Sequence, residues 1–411
     1  MTLSLGRVRH LPLLQPLRHR DFRLVWMGET ASVLGDHFHY VALAWLTLQL
    51  TQSGLALGTV LMAAAIPRAA LMLVGGVATD RFTSRDVMLA ANVARGVLMS
   101  VVAALVLTGR IELWHLYVMA VGFGVAGAFF YPAMSSIAPS LVTEDRLPAA
   151  NALIEGTRNL GTLLGPAMAG VVVAVLGTGP AFAVDAASFG LASLALLGVS
   201  RRGRPPRDGA GGGILSAVAA GVRYAWGDPA IRTLVLMIAA TNFAFGGCIS
   251  VGLAWLADMR FAGGPAALGL MLASFGGGAV VGTIAAGSLR RPARQGTALV
   301  AVLGALGIGL GLIGLAPSAE TAALVLAGMG VGAGYVNVLI FSWLQARAER
   351  AMLGRLMSLV MLAAVGLTPL SYAVAGIVVD TWATLLFLAA GSLVTLTAVV
   401  TTLSGTVRRL D

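Results

Sequence analysis

Gly76-Val-Ala-Thr-Asp-Arg-Phe-Thr-Ser-Arg85 is a short polar stretch between two apolar runs, each of them long enough to cross a bilayer. It carries Asp80, Arg81 and Arg85 within six residues. One interpretation is an ordinary cytoplasmic loop that obeys the positive-inside rule. The other is a gate, in which Gly76 admits a neighbouring helix and Asp80 caps a helix N-terminus or accepts a hydrogen bond from an arginine across a domain interface.

The composition is that of a polytopic membrane protein. Of the 411 residues, 58% are hydrophobic and only 11% are charged, whereas soluble domains carry about 25% charged residues. All 27 basic residues are arginine. A chain without lysine has neither the lysine of a phosphate loop nor a Schiff-base lysine, so we expect no ATP hydrolysis and no Schiff-base catalysis. The arginines fall in short loops, so the membrane explains the net charge of +10 better than nucleic acid does.

Apolar stretches of about 20 residues recur twelve times, which predicts an all-α membrane protein with twelve transmembrane helices. The one long polar segment is rich in Arg, Pro and Gly, as a flexible linker is, and its residues 214–226 have the helical spacing of a membrane-surface helix. We therefore predict a six-helix half over 1–200, a cytoplasmic linker over 201–230 and a second six-helix half over 231–411. The predicted spans are 22–48, 54–79, 87–108, 113–140, 148–176, 180–200, 231–257, 265–289, 296–316, 321–343, 352–378 and 380–404.

The distribution of arginine predicts the orientation. With both termini in the cytoplasm, inner segments hold 22 arginines and outer loops hold two. Residues 1–23 carry five arginines but no apolar core with a cleavage site, so we expect no cleaved signal peptide. The sequence thus predicts a multi-pass protein of the inner (cytoplasmic) membrane, and two six-helix halves on a flexible linker are the layout of a transporter that rocks around a central site.

The chain resembles the major facilitator superfamily over nearly its whole length. The stretch that starts at Gly76 is similar to that superfamily's signature between spans two and three, with Thr83 where a second Gly is usual. Span five resembles the motif of proton-driven drug exporters, with Ala169 in place of one Gly. The residues that match this second motif are Gly161, Gly165, Pro166 and Gly170.

Four shorter motifs resemble the macrolide-efflux and enterobactin-exporter branch of the superfamily. They are 34–36 (Leu-Gly-Asp), 129–133 (Phe-Phe-Tyr-Pro-Ala), 149–153 (Ala-Ala-Asn-Ala-Leu) and 182–189 (Phe-Ala-Val-Asp-Ala-Ala-Ser-Phe). The resemblance implies a proton-coupled exporter of amphipathic or hydrophobic molecules. An alternative is a dedicated exporter of a siderophore, a natural product or a lysolipid.

Charged residues within the spans are candidates for proton coupling, because each costs about 2.5–3.5 kcal/mol at a helix centre on insertion scales. Glu29 and Asp36 lie on one polar stripe of span one, and Arg68 lies at the depth of Asp36 on span two. Glu155 and Arg158 on span five are spaced to pair at i,i+3. Alternatively, these charges only hold the N-terminal half together. Two further charges, Arg95 and Asp185, are interpreted as structural.

The C-terminal half offers no clear acid near the middle of a span in its last five spans. We therefore expect it to contribute an adaptable apolar wall to the cargo site. Candidate lining residues in the two halves are Tyr40, Tyr131, Asn159, Asn242, Asn337 and Tyr372.

Two other classes of function fit the sequence less well. An intramembrane enzyme would need a Ser–His pair or a metal cluster, and His37 and His39 at i,i+2 point to nearly opposite sides of a helix. A receptor that transports nothing is the other alternative. We expect a monomeric transporter with a small-molecule substrate, protons and the lipid bilayer as partners, and with no cofactor and no metal.

Overall fold

The computed structural model describes residues 12–200, 222–261, 263–289, 294–347 and 352–403, and within these ranges it contains helices and no strand. Two short 3-10 helices, Pro12–Arg18 and Glu144–Arg146, precede α1 and α5. The first six long helices are α1 Arg20–Thr51, α2 Gly54–Arg81, α3 Ser84–Leu107, α4 Leu113–Leu141, α5 Leu147–Leu176 and α6 Thr178–Leu197. The remaining six are α7 Pro229–Arg260, α8 Gly264–Ser288, α9 Gln295–Leu315, α10 Ala319–Arg347, α11 Leu353–Val365 and α12 Thr368–Leu403.

Ten stretches of the described chain are long and apolar enough to cross a membrane. The prediction of an all-α membrane protein is confirmed. α1 is not among the ten because polar residues such as Asp36, His37 and His39 make it less apolar, although its 32 residues suffice for a crossing. The last of the ten, Leu359–Leu403, has 45 residues and is interrupted by non-helical backbone at Trp382, so it corresponds to most of the two last predicted spans. These two differences account for the predicted twelve.

The chain divides into two compact units. The first comprises residues up to Leu46 together with Ala63–Asp208, and the second comprises Thr47–Met62 together with Gly209–Asp411. The end of α1 and the start of α2 therefore pack with the second unit, which the sequence analysis did not anticipate. The predicted domain boundaries stay predictions, because residues 201–221 of the linker, with most of the predicted surface helix, lie outside the described residues.

In the first unit, α3 packs against α4 and α6 around a core that includes Phe22, Met88 and Leu196. α2 packs closely on α4 at Gly124. A Cβ atom added to this glycine would lie only 2.1 Å from the Ala64 carbonyl oxygen, so a larger residue would not fit there. Such contacts fit membrane helices, whose association relies on close packing through small residues.

In the second unit, α8 packs on α10 through glycines in the same manner, while α7 and α9 pack on α12. The hydroxyl of Ser371 enters the hydrogen-bond ladder of α7. It donates to the Phe243 carbonyl at 2.5 Å and accepts from the Gly247 N–H at 2.6 Å, the pair that would bond to each other in a regular helix. α7 then widens into a π-helical turn over Cys248–Gly252, directly after this insertion.

At its start α7 is anchored by Asp228, which accepts from the backbone N–H groups of Ala230 and Ile231 at 2.8 and 3.5 Å. Arg347 at the end of α10 donates its Nε to the same carboxylate at 2.9 Å. Partial burial acts to raise the pKa of Asp228, but these hydrogen bonds outweigh it and hold the pKa below its usual range. The carboxylate thus joins the ends of two helices of the second unit.

Candidate functional site

The predicted polar stripe of α1 is present in the first unit. Glu29, Ser32 and His39 are 7%, 1% and 2% exposed, and Asp36 between them is half-buried. Their spacing of three or four residues places them on one face of the helix. Asp36 Oδ1 and His39 Nδ1 are buried without a hydrogen-bond partner among the described residues. A buried polar atom without a partner carries a free-energy cost, so this face is a candidate for a role beyond folding.

Arg95 on α3 provides the buried positive charge of this region and is 2% exposed. Its guanidinium lies 4.4 Å from the ring centre of Phe130 and 5.0 Å from that of Phe123, both on α4. It also lies 5.7 Å from the ring centre of Phe189 on α6 and 5.9 Å from that of Tyr131. Aromatic faces attract a cation, so this cage holds a charge that a span would otherwise bury at high cost.

Asp185 on α6 is 0% exposed, and its Oδ2 has no hydrogen-bond partner among the described residues. The Ser188 hydroxyl is 2.7 Å from the Asp185 carbonyl and 3.3 Å from Oδ1 of the same residue. The carboxyl group packs against α1, since a Cβ on Gly35 would lie 2.7 Å from Oδ1. A second buried acid therefore lies beside the residue that precedes Asp36.

The span-five motif packs α5 against α1 on either side of Asp36. A Cβ on Gly161 would lie 2.6 Å from Val33 Cγ1, and one on Gly165 would lie 2.4 Å from His37 Cδ2. Pro166 and Gly170 of the motif are also buried in α5. The small residues of this motif thus allow close approach to the turn of α1 that carries Asp36, and His37 serves as a packing surface there.

The predicted pair on α5 is confirmed, because Arg158 Nη1 lies 3.2 Å from Glu155 Oε1. Both side chains are more exposed than the acids of α1. The charges of Arg95 and Arg158 act on Asp36. Arg68, which the sequence places at the depth of Asp36, approaches the same part of α4 as Arg95. A Cβ on Gly127 would lie 3.5 Å from Arg68 Cδ and 3.4 Å from Arg95 Nη2. A direct Asp36–Arg68 pair stays a prediction.

The stretch from Gly76 to Arg85 has a different local structure from the one expected. α2 runs to Arg81 and α3 begins at Ser84, so two residues join them, and Thr83 caps α3 by accepting from the Asp86 N–H at 3.2 Å. Arg85 donates to the Leu196 and Leu197 carbonyls at 2.9 and 3.1 Å, which caps the end of α6.

The glycine at which another helix approaches closely is Gly75, not Gly76. A Cβ on Gly75 would lie 2.0 Å from the Ala128 carbonyl oxygen, whereas one on Gly76 would have no atom of the described residues within 4 Å. The assignment of close packing to Gly76 is therefore corrected for the described residues. Arg81 is exposed, and the side chain of Asp80 lies outside the described residues, so the gate role of these two stays a prediction.

Five of the six candidate cargo-site residues are exposed in the structure. In the first unit Tyr40 and Tyr131 are 45% and 39% exposed, and Asn159 is exposed. In the second unit the residues are Asn242 and Asn337, both exposed, and Tyr372, which is half-buried. Asn242 also donates to the Ile238 carbonyl of its own helix at 2.9 Å. Contact with cargo stays a prediction for all six.

Three further buried polar residues of this region, Asn92, Arg95 and Asp185, were not assigned to the site from the sequence. Asn92 lies one turn before Arg95, is 0% exposed, and neither its side-chain nitrogen nor its oxygen has a hydrogen-bond partner among the described residues. The signal was present, since each is a polar residue deep within an apolar run. The sequence of a span does not show which face packs inward, so it does not predict that these three residues are buried.

Comparison with known proteins agrees with this architecture. A family model described as transmembrane secretion effector matches residues 12–411. The multidrug efflux pump Tap of Mycolicibacterium fortuitum is 26% identical over 367 residues, which are 87% of this chain and 88% of that protein. The enterobactin exporter EntS of Shigella boydii serotype 18 is 26% identical over 340 residues, which are 82% of this chain and 80% of that protein.

Among solved structures, a bacterial homologue of the iron transporter ferroportin in an inward-facing state is similar with a TM-score of 0.71 and 18% identity. The similarity covers 92% of this chain and 98% of that one. At this identity the likeness supports the fold alone. The family match over residues 12–411, together with the helical fold, shows that the chain belongs to the transmembrane secretion effector family of the major facilitator superfamily.

Proposed function

We propose that the protein is a proton-coupled secondary transporter that exports amphipathic or hydrophobic small molecules by alternating access. The observation that carries this proposal is the buried acidic stripe of α1, with Glu29 and the Asp36 carboxyl in an otherwise apolar unit. Ionisable groups within membrane spans are costly and commonly serve ion or proton pathways. The relatedness to Tap and EntS supports export as the direction of transport.

The coupling mechanism follows from competing effects on Asp36. Burial disfavours the ionised carboxylate, while the positive charges of Arg95 and Arg158 favour it. If the exposure of Asp36 to water changes as the transporter alternates, its affinity for a proton changes as well. A proton taken up on the outer side is then released on the inner side, and cargo moves outward.

The proposed arrangement places the protein in the inner membrane with both termini and the linker in the cytoplasm. The arginine distribution supports it. The single cysteine, Cys248, is 1% exposed, so introduced cysteines can be labelled against a low background. In sealed cells an impermeant maleimide should label Arg110→Cys and spare Arg204→Cys. Labelling of Arg204→Cys from outside would reverse the orientation.

The transporter is proposed to act as a monomer in the lipid bilayer, with protons and a small molecule as its partners and without enzymatic activity. Membership of a transporter family supports the small-molecule partner.

A flux assay in proteoliposomes tests the proposed function. Purified protein is reconstituted, a pH gradient is imposed, and the movement of ethidium, an amphipathic aromatic cation, is recorded by fluorescence. We expect transport that needs the gradient and stops when an ionophore dissipates it. Asp36→Asn should abolish gradient-driven transport and retain ethidium binding, whereas Asp145→Asn, which changes an exposed loop acid, should transport as the wild type does. Gradient-driven transport by Asp36→Asn at the wild-type rate would move the role to Glu29 or Glu155.

The alternative cargo is a siderophore, which the relatedness to EntS favours. The same vesicles loaded with enterobactin distinguish the two. Transport of ethidium without enterobactin supports the broad exporter, and transport of enterobactin alone supports the dedicated one. If neither pH nor any tested cargo elicits flux, the proposal of a proton-coupled exporter is wrong.

A further inference from the structure

We propose that Asp185 is a second proton-binding residue of this transporter and that it shares one proton with Asp36. The inference rests on the proposed function and adds to it a residue on α6. Three independent features of the first unit support it: the balance of buried charge, the contact of Asp185 with α1, and the free oxygen on each carboxyl group.

The charge balance leaves one acid in excess. Away from the helix ends, the six spans of the N-terminal half contain four acids and three arginines; these are Glu29, Asp36, Glu155, Asp185, Arg68, Arg95 and Arg158. Glu155 and Arg158 pair with each other on α5. The three remaining acids face two arginines, so one negative charge has no counter-charge if all are ionised and the histidines are neutral. An uncompensated charge in a membrane span is strongly unfavourable, and a bound proton removes it.

Contact geometry places Asp185 beside the segment of α1 that carries Asp36. A Cβ on Gly35 would lie 2.7 Å from Asp185 Oδ1 and 2.1 Å from Ser188 Oγ, so only a glycine lets α6 approach α1 here. The charge of Asp36 acts on Asp185, and the charge of Arg95 acts on both acids. Acids that interact in this way titrate as a pair rather than as two separate groups.

The two free oxygens fit a shared proton. Asp36 Oδ1 and Asp185 Oδ2 are buried without a partner among the described residues, whereas the carboxyl oxygens of Glu29 are not among such atoms. A protonated carboxyl donates one hydrogen bond, and an ionised one only accepts. One proton on the pair therefore provides a donor where none exists when both acids are ionised. The proton comes from bulk water on one side and returns to bulk water on the other, so no further reactant is needed.

The charged groups that act on Asp185 are Asp36 on α1 and Arg95 on α3. Those two are in turn influenced by Glu29 on α1 and Arg158 on α5, and Arg95 also lies 5.9 Å from the ring centre of Tyr131 on α4. His39 is stacked on Phe123 at 4.5 Å between ring centres. These groups define the variants needed to assign an observed titration to Asp185.

Infrared difference spectroscopy of the purified full-length protein in nanodiscs tests the inference without any transport measurement. The carbonyl stretch of protonated carboxyl groups is followed as the pH is varied. We expect a band in the wild type that Asp36→Asn and Asp185→Asn each alter, with the titration midpoint of the remaining acid displaced by about one pH unit or more. Asp185→Glu should restore a titrating band, and Asp145→Asn should change nothing. A band with unchanged intensity and midpoint in Asp185→Asn would overturn the inference.

A second variant covers the case in which Asp185→Asn does not fold. Ser188→Ala removes the hydroxyl next to the carboxyl of Asp185 and leaves the acid in place. It should displace the titration midpoint, while Ser193→Ala, which changes a buried serine five residues further along α6, should not. Equal midpoints for Ser188→Ala and the wild type would contradict the pair.

Failure of the two proposals can be told apart. If wild-type vesicles show no gradient-driven export but the infrared band responds to Asp185→Asn, the proposed function is wrong and the proton site stands. If export is gradient-driven but the band is insensitive to Asp185→Asn, Asp185 is structural and the proposed function stands.

Discussion

Replacement of Asp380 tests how firmly the start of α2 is held in the second unit. The Asp380 carboxylate accepts from the Gly54 N–H at 2.6 Å, the Ser53 hydroxyl at 3.0 Å and the Leu55 N–H at 3.3 Å. The acid thus caps the N-terminus of α2 from a position 326 residues away in the chain, where a negative charge also interacts favourably with the helix dipole. We name these four residues the Asp380 cap.

The free-energy cost of removing the Asp380 side chain follows from the known cost of removing an N-cap. Removal of an N-cap side chain costs about 0.5–2 kcal/mol, and we adopt about 1–2 kcal/mol because the Gly54 bond is short and charge-assisted. A change of that size alters a two-state ratio roughly five- to thirtyfold. Close packing opposes complete release, since Cα of Gly376 would be 3.1 Å from a Cβ on Gly58. Asp380→Asn keeps one acceptor oxygen and should have a smaller effect than Asp380→Ala.

Double electron–electron resonance measures this effect directly. Spin labels on Leu55 and Leu385, both exposed on α2 and α12, report the distance between the two helices. Asp380→Ala should add a longer-distance population that the wild type lacks, and Asp145→Ala, which removes an exposed acid outside the cap, should not. An unchanged distance distribution in Asp380→Ala would refute the claim that the cap holds residues 47–62 in place.

Two further predictions concern packing within each unit. Gly165→Ala should destabilise the protein by about 1–3 kcal/mol in thermal unfolding, because the added Cβ would overlap His37. The control Gly156→Ala, which has open space at its Cβ, should leave stability unchanged. Equal melting temperatures for the two variants would contradict the packing role of the span-five motif. Ser371→Ala should lower the free energy of unfolding by about 1–3 kcal/mol, because it removes two buried hydrogen bonds at the π-helical turn of α7. It should impair ethidium transport less than Asp36→Asn does. Unchanged stability would show that the turn forms without the hydroxyl.

The features that the sequence predicted well are those set by local periodicity and composition. The apolar runs identified the spans, the three-to-four-residue spacing identified the polar face of α1, and the i,i+3 spacing identified the Glu155–Arg158 pair. Each depends only on helix geometry, which is nearly constant inside a membrane.

The features that it could not supply depend on how separate helices are rotated and packed. Arg68 and Arg95 both lie well inside apolar runs of the sequence. Only the packing of α3 against α4 and α6 places Arg95 within the aromatic cage. The Asp380 cap joins residues more than 320 positions apart, and no spacing rule predicts it. The contact of Asp185 with Gly35 exists only in the folded unit, and no spacing in the sequence predicts it.

Proton release on cargo binding is the measurement that tests the proposed coupling most directly. Ethidium is added to purified protein in weakly buffered detergent solution, and released protons are counted with a pH indicator at several starting pH values. The wild type should release protons in proportion to bound ethidium, and Asp36→Asn should bind ethidium but release markedly fewer. Ethidium binding without proton release by the wild type would contradict proton coupling, and equal release by Asp36→Asn would contradict proton coupling through Asp36.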